Sequence, residues 1–383
     1  MSVIKTKNFL LGLATVLSLF FTGAAVAETE YKLNMIKGVT PLSHDIYHLH
    51  MLMLWVCVAI GVVVFGIMIY SLIRFRKSKG AVPAQFHHST KAEIVWTIIP
   101  IVILVTLAFP ATRVLEEMED VSNPDMTIKV TGYQWRWRYD YVDEGFGFFS
   151  NLAKDSHDIS QLHSGKNPED ADHYLLNVDQ PLVVPVNEKI RILTTGADVI
   201  HSWWVPALGW KRDAIPGYIN ESWAKIEKPG IYRGQCAELC GKGHGFMPIV
   251  VKAVSEDEYY DWVGEQLSKA QEDSAGADRT WTKDELMKKG AEVYGSICAA
   301  CHQPNGKGVP GAFPALDGSP IATGPLDHHI DRVMNGKPGT AMAAFKNQLN
   351  DVDIAAVITY ERNSWGNHTG DVVQPAEIKA KRK

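Results

Sequence analysis

Two apolar segments near the start of the chain constrain its fold more than any other feature. They cover Met51–Ile73 and Ile94–Phe109. A helix that crosses the hydrocarbon core of a bilayer needs about 20 apolar residues, and the first segment supplies them. The second segment is shorter before Pro110, but apolar residues beyond the proline extend it. The pattern predicts two membrane-spanning helices, over about 48–73 and 93–115.

A strongly basic loop joins the two segments and fixes their orientation. Its cations are Arg74, Arg76, Lys77, Lys79 and Lys91. By the positive-inside rule this loop stays in the cytoplasm, so 28–121 forms a hairpin and the residues after it lie outside. The predicted location is the bacterial inner membrane, crossed more than once, with the later domains on the periplasmic face.

The first residues have the pattern of a secretory signal peptide. Lys5 and Lys7 precede an apolar run, Phe9–Phe21, and Ala25-Val-Ala27 offers a small-residue cleavage site. A retained membrane helix is the alternative, although the run is short for spanning. We therefore assign 1–27 to a signal peptide.

The region 122–264 has the pattern of an all-β domain. Short runs of β-branched and aromatic residues, such as Thr127-Ile-Lys-Val-Thr and Pro248-Ile-Val-Val-Lys, lie between turn signals. Several such strands in one region predict a Greek-key sandwich or barrel. A polar segment, 145–172, is predicted to be a surface insertion. The net charge of −5 at pH 7 is mildly acidic, so nothing indicates a nucleic-acid partner.

A short run in this region, Cys236–Met247, contains two thiols, an imidazole and a thioether. Thiolate, imidazole and a weak thioether together are typical of copper electron-transfer centres. Two cysteines, where a single metal needs one, predict that the thiolates bridge two copper ions. Such a site needs another histidine, and His201 upstream is the candidate. The predicted copper ligands are the side chains of His201, Cys236, Cys240, His244 and Met247 and the backbone carbonyl of Glu238.

Two other interpretations of this run remain open. A disulfide between Cys236 and Cys240 is permitted in an oxidising compartment, but it leaves the histidine and the methionine unexplained. Zinc is the other alternative, and the methionine argues against it because structural zinc takes cysteine and histidine. The cysteine Cys57 lies in the first apolar segment, where a free thiol is an ordinary small hydrophobe.

A second redox motif, Cys298-Ala-Ala-Cys301-His302, has the CxxCH pattern of covalent c-type haem attachment. The two cysteines form thioether bonds to the porphyrin, and the adjoining histidine ligates the iron. A methionine as the second axial ligand raises the haem potential. We favour Met342, in a loop of small residues, over Met334, which falls at a predicted helix end and is expected in the core.

An all-α haem domain is predicted around this motif. Helical spacing flanks it at about 283–297 and 351–364, and we place the domain over 283–365. The preceding residues, 265–282, are rich in Gln, Glu, Asp, Ser, Ala and Gly, which is typical of a linker. Residues 366–383 form a tail.

Together these features resemble subunit II of the haem-copper cytochrome c oxidases, in the variant with a fused C-terminal cytochrome c domain. The resemblance covers nearly the whole chain and rests on Glu93-Ile-Val-Trp-Thr-Ile-Ile-Pro, Tyr133-Gln-Trp-Arg-Trp-Arg-Tyr, Asp198-Val-Ile-His-Ser-Trp, Lys211-Arg-Asp-Ala-Ile-Pro-Gly and Gly234-Gln-Cys-Ala-Glu-Leu-Cys. It implies a two-helix transmembrane hairpin, an all-β cupredoxin-like Greek-key domain with the dinuclear CuA centre, and an all-α class I cytochrome c domain. Two local differences, the segment 145–172 and Arg136 within the aromatic run, leave every predicted metal ligand in place.

The resemblance also implies roles for three further groups. The Glu238 side chain ligates magnesium at the boundary with subunit I. Trp135 is where electrons from cytochrome c enter, although a packed strand face is the alternative. Glu93 lies at the entrance of a proton path, with a solvated residue at a helix N-terminus as the alternative.

The function that the resemblance implies is electron relay inside an oxidase complex. Electrons pass from cytochrome c or another donor through haem c and CuA to the oxygen-reducing site in subunit I, coupled to proton pumping. Subunits I and III are the implied partners, and the chain belongs to an enzyme only through the complex. Two other functions fit the sequence less well. A nitrous oxide reductase needs a large propeller domain, which the sequence does not indicate, and a copper carrier does not need a covalent haem. Quinol-oxidising relatives of subunit II lack the copper ligands.

Overall fold

A computed structural model of the chain describes residues 34–161, 164–340 and 342–382. The predicted signal peptide, 1–27, lies outside the described residues.

Two long helices, Pro41–Arg74 and Thr90–Glu119, form the membrane part of the chain. The first begins with proline, and its capping residue Thr40 exchanges hydrogen bonds with Ser43, so the free amides of the first turn are satisfied. Both helices expose apolar side chains along their length and are long and apolar enough to cross a membrane. The predicted pair of membrane helices is confirmed.

The domain that follows is built from two five-stranded sheets within the described residues. The strands are β1 Met126–Tyr133, β2 Arg136–Tyr141, β3 Phe146–Ser150, β4 Leu182–Pro185, β5 Ile190–Gly196, β6 His201–Trp204, β7 Lys211–Ala214, β8 Asn220–Ala224, β9 Gly230–Cys236 and β10 Pro248–Val254. One sheet has the order β3-β2-β1-β5-β8 and the other β4-β10-β9-β6-β7. β1 runs parallel to β5 and β10 parallel to β4, whereas the other pairs are antiparallel. The predicted cupredoxin-like Greek-key fold is confirmed.

Aromatic side chains fill the space between the two sheets. Trp137, Tyr139 and Trp203 are fully buried there. The Tyr141 hydroxyl donates to the Val183 carbonyl at 2.6 Å and accepts from the Val183 amide at 3.0 Å. Because Tyr141 lies on β2 and Val183 on β4, this pair of hydrogen bonds joins the two sheets.

The polar segment 145–172 differs in part from a surface insertion. Its first residues form β3, at the edge of the first sheet, and a short helix, Lys154–Ser160, follows. Phe146 stacks on Tyr141 with ring centroids 4.8 Å apart. The phenylalanines of β3 therefore anchor the start of the segment to the aromatic core, which the segment's overall polarity conceals.

Much of the region predicted as a linker, 265–282, is helical. The connecting helix, Glu256–Gly276, begins directly after β10. Its first turns pack on the β domain, because Tyr259 and Val263 are buried in the core of that domain. The Tyr259 hydroxyl also donates to the Glu144 carboxylate at 2.6 Å. The polar composition therefore marks a solvated helix surface here.

The C-terminal domain is helical, as predicted, and closes around a core of its own. Its helices are Lys283–Val293, a π-helical turn Tyr294–Cys298, Ala299–His302, Pro320–Thr323, Leu326–Asn335, Asp351–Asn363 and Pro375–Lys381. The first and the longest helix approach closely at Gly290, where a Cβ would lie 2.1 Å from the Ala356 carbonyl oxygen. The predicted tail, 366–383, supplies the last helix, and its Ile378 is fully buried.

Candidate metal centre

Strand pairing brings the predicted copper ligands together. β6 and β9 are neighbours, with Trp203 opposite Cys236, so His201 at the start of β6 lies close to the end of β9. The cysteine loop, Cys236–Met247, then folds back over this end of the sheet. Ligand atoms of His201, Cys236 and Cys240 all lie within 4.8 Å of one another, and the three residues are buried. The fold therefore creates a His–Cys–Cys cluster.

The remaining predicted side-chain ligands complete this cluster. The Cys236 sulfur lies 3.9 Å from the Cys240 sulfur and 4.0 Å from His201 Nδ1. The Cys240 sulfur lies 3.6 Å from His244 Nδ1 and 3.5 Å from the Met247 sulfur. All five side chains predicted from the sequence thus converge on the pair of sulfur atoms.

The two cysteines are free thiols. A disulfide needs sulfur atoms about 2.05 Å apart, which the separation in the cluster far exceeds. The hydrogen bond between the thiols lowers the pKa of Cys236 and raises the pKa of Cys240, because one proton is held between them. The Glu238 carbonyl oxygen lies 3.3 Å from the Cys236 sulfur, while Glu238 itself is exposed. The Glu238 carbonyl oxygen and the Cys236 sulfur are therefore close enough to ligate the same metal site.

Asp198 orients the His201 ring. Its Oδ1 lies 2.9 Å from His201 Nε2, which leaves Nδ1 directed toward Cys236. Burial lowers the pKa of His201, but the hydrogen bonds to Asp198 and Cys236 outweigh it, so the pKa is raised. The other oxygen of Asp198 accepts the Gln134 amide at 2.8 Å. We missed this role for Asp198 in the sequence, although its position three residues before a ligand histidine was the available signal.

Two glycines allow aromatic rings to close around the cluster. A Cβ on Gly132 would lie 2.7 Å from His201 Cδ2, and a Cβ on Gly243 would lie 2.3 Å from Trp135 Cδ2. The Trp135 indole nitrogen donates to the Cys240 carbonyl at 3.1 Å. Trp135 therefore lies directly against the cysteine loop, one residue before β2 begins.

The CxxCH motif lies at the end of the π-helical turn Tyr294–Cys298 and in the short helix Ala299–His302 that follows. Cys298 and Cys301 are free, and His302 is nearly buried. His302 Nδ1 donates to the Pro314 carbonyl at 2.8 Å, so Nε2 is the nitrogen left for a metal. Sequence reasoning missed Pro314, because no local spacing connects it to the histidine.

The two candidate axial methionines have different environments. Met334 is 3 % exposed and belongs to the hydrophobic core of the helical domain. Met342 lies in the loop after the helix Leu326–Asn335, which contains Met334, and is only partly buried. The Met342 carbonyl accepts a hydrogen bond from the Lys337 amide at 2.9 Å. The structure thus places Met334 in the core and Met342 in a partly buried loop, and the choice of Met342 stays a prediction.

Glu93 is not part of either cluster. It lies in the first turn of the second membrane helix, and its carbonyl accepts the Thr97 hydroxyl at 2.8 Å. Its position at a helix N-terminus is the position that the dipole favours for a carboxylate.

Both donor sets fit the groups that the sequence implies. Thiol, imidazole and thioether donors together suit copper, whereas oxygen-rich sites suit magnesium or calcium. Two free cysteines beside a histidine oriented through Nδ1 suit a covalent haem. The fold and the clusters define the class: a membrane-anchored, cupredoxin-like electron-transfer protein with a C-terminal cytochrome c domain.

The chain belongs to the cytochrome c oxidase subunit II family. Residues 28–114 match the family model "Cytochrome C oxidase subunit II, transmembrane domain", and residues 126–254 match "Cytochrome C oxidase subunit II, periplasmic domain". Residues 285–360 match "Cytochrome C oxidase, cbb3-type, subunit III". The predicted combination of subunit II with a C-terminal cytochrome c domain is confirmed, and these families imply copper and haem c.

Relatives from bacteria and plants support the family assignment. "Probable cytochrome c oxidase subunit 2" of Rickettsia prowazekii is 45% identical over 58% of this chain and 69% of its own length. Cytochrome c oxidase subunit 2 of Cereibacter sphaeroides is 40% identical over 59% of this chain and 77% of its own length. The Arabidopsis thaliana protein of the same name is 40% identical over 65% of this chain and 95% of its own length. The chain is accordingly an oxidase subunit with a membrane part and a periplasmic domain.

Proposed function

We propose that the chain relays electrons from cytochrome c, through a covalently bound haem c and the dinuclear CuA centre, to the oxygen-reducing site in subunit I, coupled to proton pumping. The observation that carries the proposal is the convergence of His201, Cys236, Cys240, His244 and Met247 within one cluster. Copper and haem, when bound, supply one-electron redox chemistry. The location that goes with this function is the bacterial inner membrane, with the copper and haem domains on the periplasmic face.

The residues of the cysteine loop hold the copper pair in this proposal. Cys236 and Cys240 would hold the copper ions through their sulfur atoms, and His201 and His244 would each offer Nδ1. The remaining ligands are the Met247 thioether and the Glu238 carbonyl. Because strand pairing and the Asp198 hydrogen bond already orient these atoms, little rearrangement is needed when charge changes.

Residues of the helical domain hold the haem. Cys298 and Cys301 would attach the haem through their sulfur atoms, and His302 would offer Nε2 because the Pro314 carbonyl accepts from its other ring nitrogen. Met342 would offer its thioether to the haem as the further ligand. A methionine in that position raises the haem potential.

Three residues take part at boundaries of the subunit in this proposal. Trp135 would carry electrons toward the copper centre. Its indole nitrogen donates a hydrogen bond to the Cys240 carbonyl in the cysteine loop. The exposed Glu238 carboxylate ligates magnesium where the chain meets subunit I. Glu93 marks the entrance of a proton path into subunit I, which is a partner together with subunit III.

Metal and haem analysis of the purified membrane complex tests the proposal. We expect two copper ions and one c-type haem for each chain, with a mixed-valence dinuclear copper signal in the electron paramagnetic resonance spectrum. Cys236→Ser is expected to abolish that signal, and Cys57→Ser, which removes the cysteine in the membrane helix, is expected to retain it. One copper ion for each chain, or zinc in its place, would contradict the proposal.

A further inference from the structure

Arg136 is the residue at which the aromatic run departs from the family pattern, and its environment is unusual for an arginine. It opens β2, directly after Trp135, and is only 6% exposed. A buried guanidinium is costly unless hydrogen bonds or charges compensate it. The burial lowers the pKa of Arg136 to about 10. Some local arrangement must therefore stabilise it.

The hydrogen-bond partner of Arg136 comes from the other domain. Its Nη2 donates to the side-chain oxygen of Gln348, which lies in the cytochrome c domain. On the side of the β domain, the guanidinium lies 4.0 Å from the centroid of the Phe149 ring. Arg136 is thus enclosed between the two domains, held by a cation–π contact on one side and a side-chain amide on the other.

A second cation makes a similar contact nearby. Lys242 lies in the cysteine loop, and its amine is 5.2 Å from the centroid of Phe313 in the cytochrome c domain. Phe313 precedes Pro314, whose carbonyl holds His302. Lys242 in turn precedes Gly243, against which the Trp135 ring packs. Each cation is therefore next in the chain to a residue of this packing contact, Arg136 to Trp135 and Lys242 to Gly243.

The haem-attachment motif faces the same two cations. The charge of Arg136 acts on the Cys298 thiol, and the charge of Lys242 acts on the Cys301 thiol. Each attachment cysteine is therefore close enough to one of these two cations to interact with its charge.

We propose that Arg136 is a positioning residue that holds the chain's own cytochrome c domain against the face of the copper domain that carries Trp135. The inference rests on the proposed function, because it names the residue that keeps the haem domain beside the proposed electron-entry residue.

Hydroxyl-radical footprinting of the full chain within the purified complex tests the contact. Loss of a hydrogen bond from a charged group is expected to raise the population of the open interface about tenfold in Arg136→Ala. Oxidation of Trp135 and Phe313 therefore increases, while oxidation of the fully buried Tyr139 stays at its wild-type rate. A residue with a merely structural role in the β domain would increase the oxidation of Tyr139 as well.

Arg138→Ala is the matched control. Arg138 lies two residues further along the same strand and pairs with Asp140 of its own domain at 2.8 Å, so the interface is expected to remain closed. Gln348→Ala is expected to reproduce Arg136→Ala, and the double variant is expected to add little to either, since both remove one hydrogen bond. Gln348→Ala also keeps the test decisive if Arg136→Ala fails to fold.

Two results overturn the inference. One is equal oxidation of Trp135 in Arg136→Ala and Arg138→Ala, and the other is an increase in Tyr139 oxidation in Arg136→Ala as large as the increase at Trp135. Neither result alters the copper and haem content, which is the measurement on which the proposed function depends. An absence of copper or haem refutes the proposed function, whereas the footprint then still reports whether Arg136 closes the interface.

Discussion

Replacement of Asp198 by alanine is expected to weaken copper binding without removing a ligand. The carboxylate makes three short hydrogen bonds, to His201 Nε2 at 2.9 Å, to the Gln134 amide at 2.8 Å and to the Val199 amide at 2.7 Å. Without it, the imidazole is free to rotate, and the loop that carries Trp135 loses its connection to the histidine.

The magnitude follows from the role and the exposure of the carboxylate. Removal of a group that orients a metal-ligating histidine costs about 10- to 100-fold in metal affinity. The Asp198 side chain is 25% exposed, so water replaces part of each lost hydrogen bond. We therefore expect the lower end, about tenfold or about 1.4 kcal/mol. Asp198→Asn is expected to lose less, because its side-chain oxygen still accepts from Nε2.

Titration of the purified chain with copper, in competition with a chelator of known affinity, measures this change. Asp140→Ala is the control, since it removes a carboxylate that pairs with Arg138 away from the cluster. Equal copper affinity in Asp198→Ala and in Asp140→Ala would refute the reasoning. So would a larger loss in Asp198→Asn than in Asp198→Ala.

Three further predictions concern packing, haem ligation and pH. Gly243→Ala places a Cβ against the rigid Trp135 ring and is expected to cost about 1–3 kcal/mol in thermal unfolding. Met342→Ala is expected to lower the haem potential in a redox titration, because the iron loses a thioether ligand. Burial raises the pKa of Asp371, but the hydrogen bonds from Arg362 outweigh it and the net pKa is lowered. The ion pair of Asp371 with Arg362 therefore stabilises the domain at pH values above about 3.9, the pKa of Asp371 in the unfolded chain. This stability is lost as the pH falls through the lower pKa of Asp371 in the folded chain. Asp371→Asn is expected to remove that acid dependence from unfolding curves.

The first two of these predictions have matched control variants, and the third has an outcome that contradicts it. Gly245→Ala adds a Cβ that meets nothing within 4 Å, so its unfolding curve is expected to match the wild type. Met334→Leu changes a core methionine and is expected to leave the haem potential unchanged, whereas an equal shift in both methionine variants would contradict the assignment of Met342. Persistence of the acid dependence in Asp371→Asn would show that another carboxylate is responsible.

Local patterns in the sequence were sufficient for much of the fold and the candidate site. The membrane helices and the cysteine loop are recognisable because length, apolarity and ligand spacing are confined to short stretches of chain. Apart from Asp198, which lies three residues before His201, the contacts that we missed join residues of different elements or domains. Pro314 reaches His302 through a loop, Arg136 meets Gln348 from another domain, and Phe146 joins the sheet from within a polar segment. Such pairs depend on tertiary packing, which local periodicity does not encode.

The connecting helix, Glu256–Gly276, changes how the two redox domains are coupled in a mechanical sense. A flexible linker sets only the average distance between two domains. A change in its length alters the effective concentration of one domain at the other only slowly. A helix fixes both a distance and a rotation. The 21 residues of the connecting helix span about 30 Å, and each inserted residue would rotate the chain that follows by about 100° about the helix axis. The cytochrome c domain is thus presented at a defined angle as well as a defined reach. The orientation of the cytochrome c domain is therefore sensitive to the insertion of a single residue, which a flexible linker would tolerate.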